Sequence, residues 1–434
     1  MLLYIRHTNW NTTLFWKQKV IINQKKLFST NKSTTMSITH DPIRHLEYLR
    51  QSLSQDKKPI GFFISAGCPL SVTMPTKEEW PLIPDVKNLT EWINKELAAN
   101  EKYQNLLLEL EKTKKDKNNI EDILSFIRGL QQVSAGGEVR GFSESELIEI
   151  EKAVCEKIVE KINVQLPDTQ TPYHKLVKWI SSIDRDFPTE IFTTNYDLLM
   201  EDALDYLEVP YFDGFVGSRK SFFDLRAVED GSISKHWIRL WKIHGSINWN
   251  QEDINGQKKI YRTSEVKVGS SHLIYPSHLK YEQSRKMPYL ALIDQLNRFI
   301  REKSSLLILS GYSFNDEHLN DTIINALKAN PSAMVLGFMF DTYFEKDEIE
   351  RYPKANKLAK DRHNLNIWTF DKAIIGTNLG DWKVQKSSDD NDIKQFITPE
   401  DGSVKLGDFA IFTDFLKMLI GNKQENKKED KNDK

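Results

Sequence analysis

Thr193-Thr194-Asn195-Tyr196-Asp197 and, further along, Lys242-Ile243-His244-Gly245-Ser246-Ile247-Asn248-Trp249 decide the fold. In each stretch an apolar run breaks abruptly into polar side chains. Runs rich in Val, Ile and Phe read as buried strands, and polar residues just past them sit at the strands' carboxyl ends. In an open parallel sheet, ligands bind at that edge. The pattern predicts an Asn, an Asp and a His converging on one crevice from two strands.

Two more segments have the same form. Gly61-Phe62-Phe63-Ile64 runs into Ser65-Ala66-Gly67-Cys68, and Leu306-Leu307-Ile308-Leu309 runs into Ser310-Gly311-Tyr312-Ser313-Phe314-Asn315-Asp316, with a helical pattern from Glu317. Small residues let backbone approach a ligand, and a helix N-terminus beyond them attracts phosphate. Met334–Phe340 and Leu365–Phe370 read as further strands, and Leu290, Leu292, Ile293, Leu296, Phe299 and Ile300 as a helix. This alternation predicts an α/β fold, a Rossmann-like doubly wound parallel sheet.

Residues 86–172 break the alternation. Ile120, Ile123, Leu124, Ile127 and Leu130, then Leu147, Ile150, Val154, Ile158 and Ile162, recur at helical spacing and read as an α-helical insertion. Ser134-Ala135-Gly136-Gly137 is a flexible break within it, and the Lys112–Lys117 cluster reads as solvated surface. Short strand-like runs follow, including Tyr211–Val216 and Leu273–Tyr275, and a last helix spans Phe409–Leu419. The expected boundaries are a catalytic domain over 41–385, a helical segment over 386–421 and a disordered charged tail over 422–434.

Residues 1–40 have no Asp or Glu but carry Arg6, Lys17, Lys19, Lys25, Lys26 and Lys32. That is the pattern of a mitochondrial presequence; the alternative is a start at Met36, and either way the segment is left out of the fold. A net charge of −2 gives no global basic balance toward nucleic acid or membrane, and no apolar run approaches a membrane span. The two cysteines, Cys68 and Cys155, have no paired spacing and fit a reducing cytoplasm. Cys68 is either a buried filler or a redox-sensitive thiol.

In their order along the chain, the four motifs resemble those of the sirtuin-like family, and more closely its bacterial NAD-hydrolysing branch than the protein deacylases. The family's nucleotide loop is matched by Ser65-Ala66-Gly67, its Thr-x-Asn-x-Asp motif by Thr193, Asn195 and Asp197, its catalytic His-Gly by His244-Gly245, and its ribose loop by Gly311-Tyr312-Ser313. Two departures stand out. Ser65 replaces the first glycine of the loop, which implies a negative φ there, and residues 246–310 hold no cysteine where the deacylases carry a four-cysteine zinc ribbon. No zinc ribbon and no metal are expected, which argues against deacylation.

The resemblance implies NAD as substrate. Its nicotinamide–ribose bond breaks through an oxocarbenium-like transition state, so a protein helps by fixing the amide, holding the ribose and placing an acceptor at the anomeric carbon. Asp197 suits the carboxamide, Asn195 a ribose hydroxyl or the attacking water, and His244 the role of general base. Ala66, Gly67, Gly311, Ser313 and Asn315 are expected to bind the nucleotide, Thr193 to belong to the same set, and Asp85, after Ile83-Pro84, to lie near the nicotinamide. Bland alternatives remain open: Asp197 and Asn315 or Asp316 as helix N-caps, His244 as a satisfied structural histidine, Trp241 and Trp249 as packing. The expected activity is an NAD+ glycohydrolase yielding ADP-ribose and nicotinamide. The resemblance also implies a gated antiviral effector that depletes NAD, a homo-oligomer, and a HerA-like ATPase as partner. A sirtuin-type deacylase or ADP-ribosyltransferase and a non-catalytic NAD- or ADP-ribose-sensing module are the alternatives.

Overall fold

Ile60-Gly61-Phe62-Phe63-Ile64 and Leu306-Leu307-Ile308-Leu309-Ser310 are buried at every position, as strands covered on both faces must be. The computed structural model describes residues 38–76, 80–113, 115–134, 136–231, 233–254, 257–266, 288–385 and 390–420. Among them the main sheet has ten strands. In chain order these are β1 (Thr39–His40), β2 (Ile60–Ile64), β3 (Glu190–Thr193), β4 (Tyr211–Phe212), β5 (Ile238–Lys242), β6 (Leu306–Ser310), β7 (Met334–Phe338), β8 (Leu365–Trp368), β9 (Lys372–Ile375) and β10 (Asn378–Trp382).

Their spatial order is β1-β10-β9-β8-β7-β6-β2-β3-β5-β4. Neighbours from β8 to β4 run parallel, whereas β9 is antiparallel to both β8 and β10. From β2 the chain winds outward through β3 and β5, then returns to β6 beside β2 and winds the other way through β7 and β8. The winding reverses between β2 and β6, and open α/β sheets bind ligands at such a switch point, beyond the strands' carboxyl ends. This is the α/β, Rossmann-like sheet expected from the sequence, mostly parallel and flanked by helices.

Adjacent residues of β2 serve opposite faces. Phe62 meets Trp179 edge-on at 5.7 Å, while Phe63 meets Tyr312 at 5.0 Å on the other side. The Phe62 face is covered by α6 (Pro172–Ser181) and α10 (Phe409–Ile420), with Phe412 lying 5.1 Å from Phe338 of β7. The Phe63 face is covered by α8 (Tyr289–Arg301) and α9 (Glu317–Ala329). Another helix, α1 (Pro42–Leu53), is capped by Asp41 with Pro42 in its first turn.

The insertion between β2 and α6 consists of α2 (Val86–Glu96), α3 (Glu101–Glu111), α4 (Ile120–Val133) and α5 (Glu144–Ile162), with a small hairpin, Glu138–Val139 against Phe142–Ser143, after α4. Ser143 and Glu146 form a reciprocal capping box at the start of α5. Leu147, Ile150, Val154, Ile158 and Ile162 then bury one stripe of α5 in the core of the Phe62 face.

Some details differ from the sequence reading. Thr39 and His40 pair with Asp381 and Trp382, so the sheet takes in two residues assigned to the N-terminal extension. The strands expected to end at Phe340 and Phe370 end at Phe338 and Trp368, and those two phenylalanines pack on each other at 5.3 Å beyond the sheet. Residues 1–37, the expected strand Leu273–Tyr275 and the tail 422–434 lie outside the described residues. Trp249–Ile254 and Gln257–Arg262 form a hairpin in a separate four-stranded sheet with Ser221–Phe223 and Phe215–Val216. No helix among the described residues is long and apolar enough to cross a membrane.

At the switch point the two loops touch. The Ser65 N–H donates to Ser310 O and the Gly67 N–H to Gly311 O, each at 3.1 Å. A Cβ on Gly67 would lie 2.8 Å from the Gly311 Cα, and one on Gly311, at φ +68°, 2.7 Å from the Cys68 nitrogen. Gly311→Ala therefore combines backbone strain with a clash against backbone, and is expected to cost about 2–4 kcal/mol, read as a lowered midpoint in thermal or urea unfolding. An unchanged midpoint would show that the loops separate freely.

Candidate active site at the switch point

Four strand ends meet here. At the end of β3, Thr193 Oγ1 accepts from the Asn195 N–H at 3.0 Å, which folds the chain back and turns Asn195 toward β2. Asn195 Nδ2 donates to Ser65 O at 3.3 Å, and Ser65 Oγ lies 2.7 Å from Thr194 Oγ1. Ser65 thus ties the β2 loop to the Asn195 loop by a side chain that glycine lacks. At the end of β5 the Gly245 N–H donates to Lys242 O, with Gly245 at φ +93°, and the resulting turn carries His244. The Ile247 N–H donates to Tyr196 O at 3.0 Å, fastening the His244 loop to the Asn195 loop.

From the β6 side, Tyr312 Oη donates to Asn320 Oδ1 at 2.9 Å, and Asn320 Nδ2 donates to Phe314 O at 2.8 Å. This clamp holds Ser313 and Asn315 in the loop. Asp316 caps α9, accepting from the N–H groups of His318 and Leu319 through Oδ1. Its other oxygen lies 3.4 Å from His244 Nε2. One carboxylate therefore caps the start of a helix and stands beside the histidine.

These loops enclose a cavity of about 330 Å3, within the range of small-molecule sites. Its floor includes Ala66 and the polar side chains of Asn195, Asp197, His244, Ser313 and Asn315. Its roof comes from the insertion and is mostly apolar: Val86 and Leu89 of α2, Ile120 and Leu124 of α4, Ile158 and Ile162 of α5, with Asn119 and Glu121 the polar exceptions. Six of the ten residues singled out from sequence thus line one space. The other four do not line it. Gly67 and Gly311 pack on each other, Thr193 lies beneath Asn195, and Asp85 caps α2 by accepting from the Asn88 N–H at 2.8 Å. Ile83, Pro84 and Val86, on either side of Asp85, do face the cavity.

Asp197 is buried and faces the cavity, and its Oδ1 accepts from the Leu199 N–H at 3.1 Å just ahead of α7 (Leu199–Tyr206), whose N-cap residue is Leu198. Burial pushes its carboxyl up to about 6, against the opposing pull of Lys242 and the Leu199 N–H. Lys242, itself 1% exposed, donates to Glu201 at 2.8 Å and to the Asp197 carbonyl. This buried pair was not foreseen, although a lysine ending the buried strand Ile238–Lys242 was a readable sign, since a buried charge needs a partner. Asp316 as the partner of His244 was also missed, as were Thr194, Tyr196 and Glu121 in the lining. Cys68 is fully buried, donates to Ser310 O at 3.3 Å, and has its thiol pushed up to about 12 by burial, so it is a filler rather than a reactive thiol. Trp241 and Trp249 are buried in the core of the Phe63 face.

Comparison with known proteins adds one result. Residues 189–363 match the SIR2-like domain. The matched stretch runs from just before β3 to just before β8 and contains Thr193, Asn195, Asp197, His244, Gly311, Ser313 and Asn315. It leaves out β2 with its Ser65-Ala66-Gly67 loop and the helical roof. No curated protein matches the chain. The match points to NAD-related activity and names no reaction.

The Asp197 carboxyl titrates higher folded than unfolded, so its favourable contribution is complete below about pH 4 and is lost as pH rises through 6. Asp197→Asn keeps an acceptor for the Leu199 N–H and removes that loss. Its stability should match wild type near pH 4 and exceed it by up to about 3 kcal/mol at pH 8, in melting curves taken across the range. A difference that does not vary with pH would mean that Asp197 ionises as freely as in water.

Proposed function

We propose that the chain is an NAD+ hydrolase, converting NAD+ and water to ADP-ribose and nicotinamide. The observation that carries this reading is the shared floor: Asn195, Asp197 and His244 face one cavity, with Asp316 behind the histidine and an apolar roof overhead. Binding alone needs no base held by a carboxylate.

Asp197, a carboxylate above pH 6, accepts from the nicotinamide amide N–H. Asn195 holds a ribose hydroxyl or the attacking water. The bond from the anomeric carbon to nicotinamide breaks, its electron pair leaves with the ring, and positive charge grows on the ribose. Water adds to that carbon and gives up a proton to His244, and the Asp316 carboxylate stabilises the imidazolium that forms. The apolar roof keeps other water away. Ala66, Ser313 and Asn315 contact the rest of the nucleotide. The loops of Gly67 and Gly311 fix where those residues stand.

Free-running turnover would drain a cell's NAD, so the reading includes a gate. By resemblance, the gate is assembly with a HerA-like ATPase in a homo-oligomer, serving antiviral defence in the cytoplasm.

Purified protein should release nicotinamide and ADP-ribose in equal amounts from NAD+. Asn195→Ala and His244→Ala should each lower the rate by about 10²-fold or more with unchanged melting, and Asp316→Asn, which still caps α9, by about tenfold. Wild-type rates in the first two variants would place the chemistry elsewhere.

A further inference from the structure

Glu121 reaches the cavity from the roof. It stands in the first turn of α4, where its N–H donates to the Asn119 cap at 2.9 Å. Its carboxylate is partly buried, lines the cavity, and makes no hydrogen bond or ion pair among the described residues. Its field falls on Tyr196, whose phenol is held well above 10 by burial first and by this carboxylate next.

The other charges decide what Glu121 does. Asp197 and Asp316 line the same space, and among the described residues no Lys or Arg does. The nearby cations, buried Lys242 and partly buried Arg128, are engaged: Lys242 with Glu201 at 2.8 Å, and Arg128 with Glu151 at 2.6 Å. The N-terminus of α4 would draw an anion by itself, but Glu121 opposes that end of the dipole. The part of the cavity beside Glu121 is therefore a poor place for a phosphate and a good one for a planar cation under the mostly apolar roof.

The two redox forms of the dinucleotide differ in that respect. The oxidised ring is a pyridinium cation; the reduced ring is neutral and carries the same carboxamide. We propose that Glu121 gives this pocket its preference for the oxidised, cationic ring, so that the inserted helix, and not the parallel sheet, selects the redox form that enters. The inference rests on the NAD reading above. When the glycosidic bond breaks, the positive charge passes from the ring to the ribose, and the same carboxylate continues to face it.

The test compares dissociation constants for NAD+ and NADH by calorimetry, using the full chain. Both arms carry His244→Ala so that NAD+ survives the titration, and one arm adds Glu121→Gln. The preference for NAD+ should fall roughly fivefold or more in the Glu121→Gln arm, through weaker NAD+ binding with NADH little changed. A merely structural role would weaken both ligands alike and leave the ratio in place, and that result overturns the proposal. Failure of both nucleotides to bind in the His244→Ala arm would overturn the NAD reading and this inference together.

Discussion

The backbone contact between Gly67 and Gly311 is the constraint on which the site depends. Two parallel strands end side by side, and the chain leaves them in opposite directions, so a crevice opens between them. The hydrogen bonds from Ser65 to Ser310 and from Gly67 to Gly311 close its base. With those loops fixed, Ser65 anchors Thr194 and Asn195, the Asn195 loop anchors the His244 loop, and the Tyr312–Asn320 clamp brings Asp316 to the histidine. A side chain at either glycine would force the two loops apart and move every one of those groups.

The cavity above this base joins two environments of different origin. The sheet supplies polar groups, each held by neighbours that are themselves hydrogen-bonded. The insertion supplies hydrocarbon and one carboxylate, that of Glu121. Burial is what raises the Asp197 carboxyl, and Lys242 limits how far it rises while Glu201 adds to the rise. Burial of this kind makes each polar group count for more than it would in water, and it makes a charge such as Glu121, unmatched among the described residues, informative.

Much of this was legible in the sequence, because strand burial and strand ends leave a local signature. The fully apolar runs at Ile60–Ile64 and Leu306–Leu309 gave away a sheet covered on both faces, and the polar residues after Phe192 and Ile243 marked its ligand edge. The helical period of Leu147, Ile150, Val154 and Ile158 revealed the insertion. What stayed hidden is non-local. Nothing near Glu121 in sequence says that α4 starts over the Asn195 loop, and nothing near Asp316 says that its second oxygen faces a histidine seventy-two positions earlier. The glycines carry a non-local relation too: the close approach expected of them is made between Gly67 and Gly311, two loops far apart in sequence.

The most direct test of the account is a structure of the His244→Ala variant with NAD+ bound. The account predicts the nicotinamide ribose on the floor beside Asn195, with the ring between Asp197 and the roof of Ile120, Leu124 and Ile158. A dinucleotide bound away from the β2–β6 crevice, or a ring turned out of the roofed cavity, would contradict it.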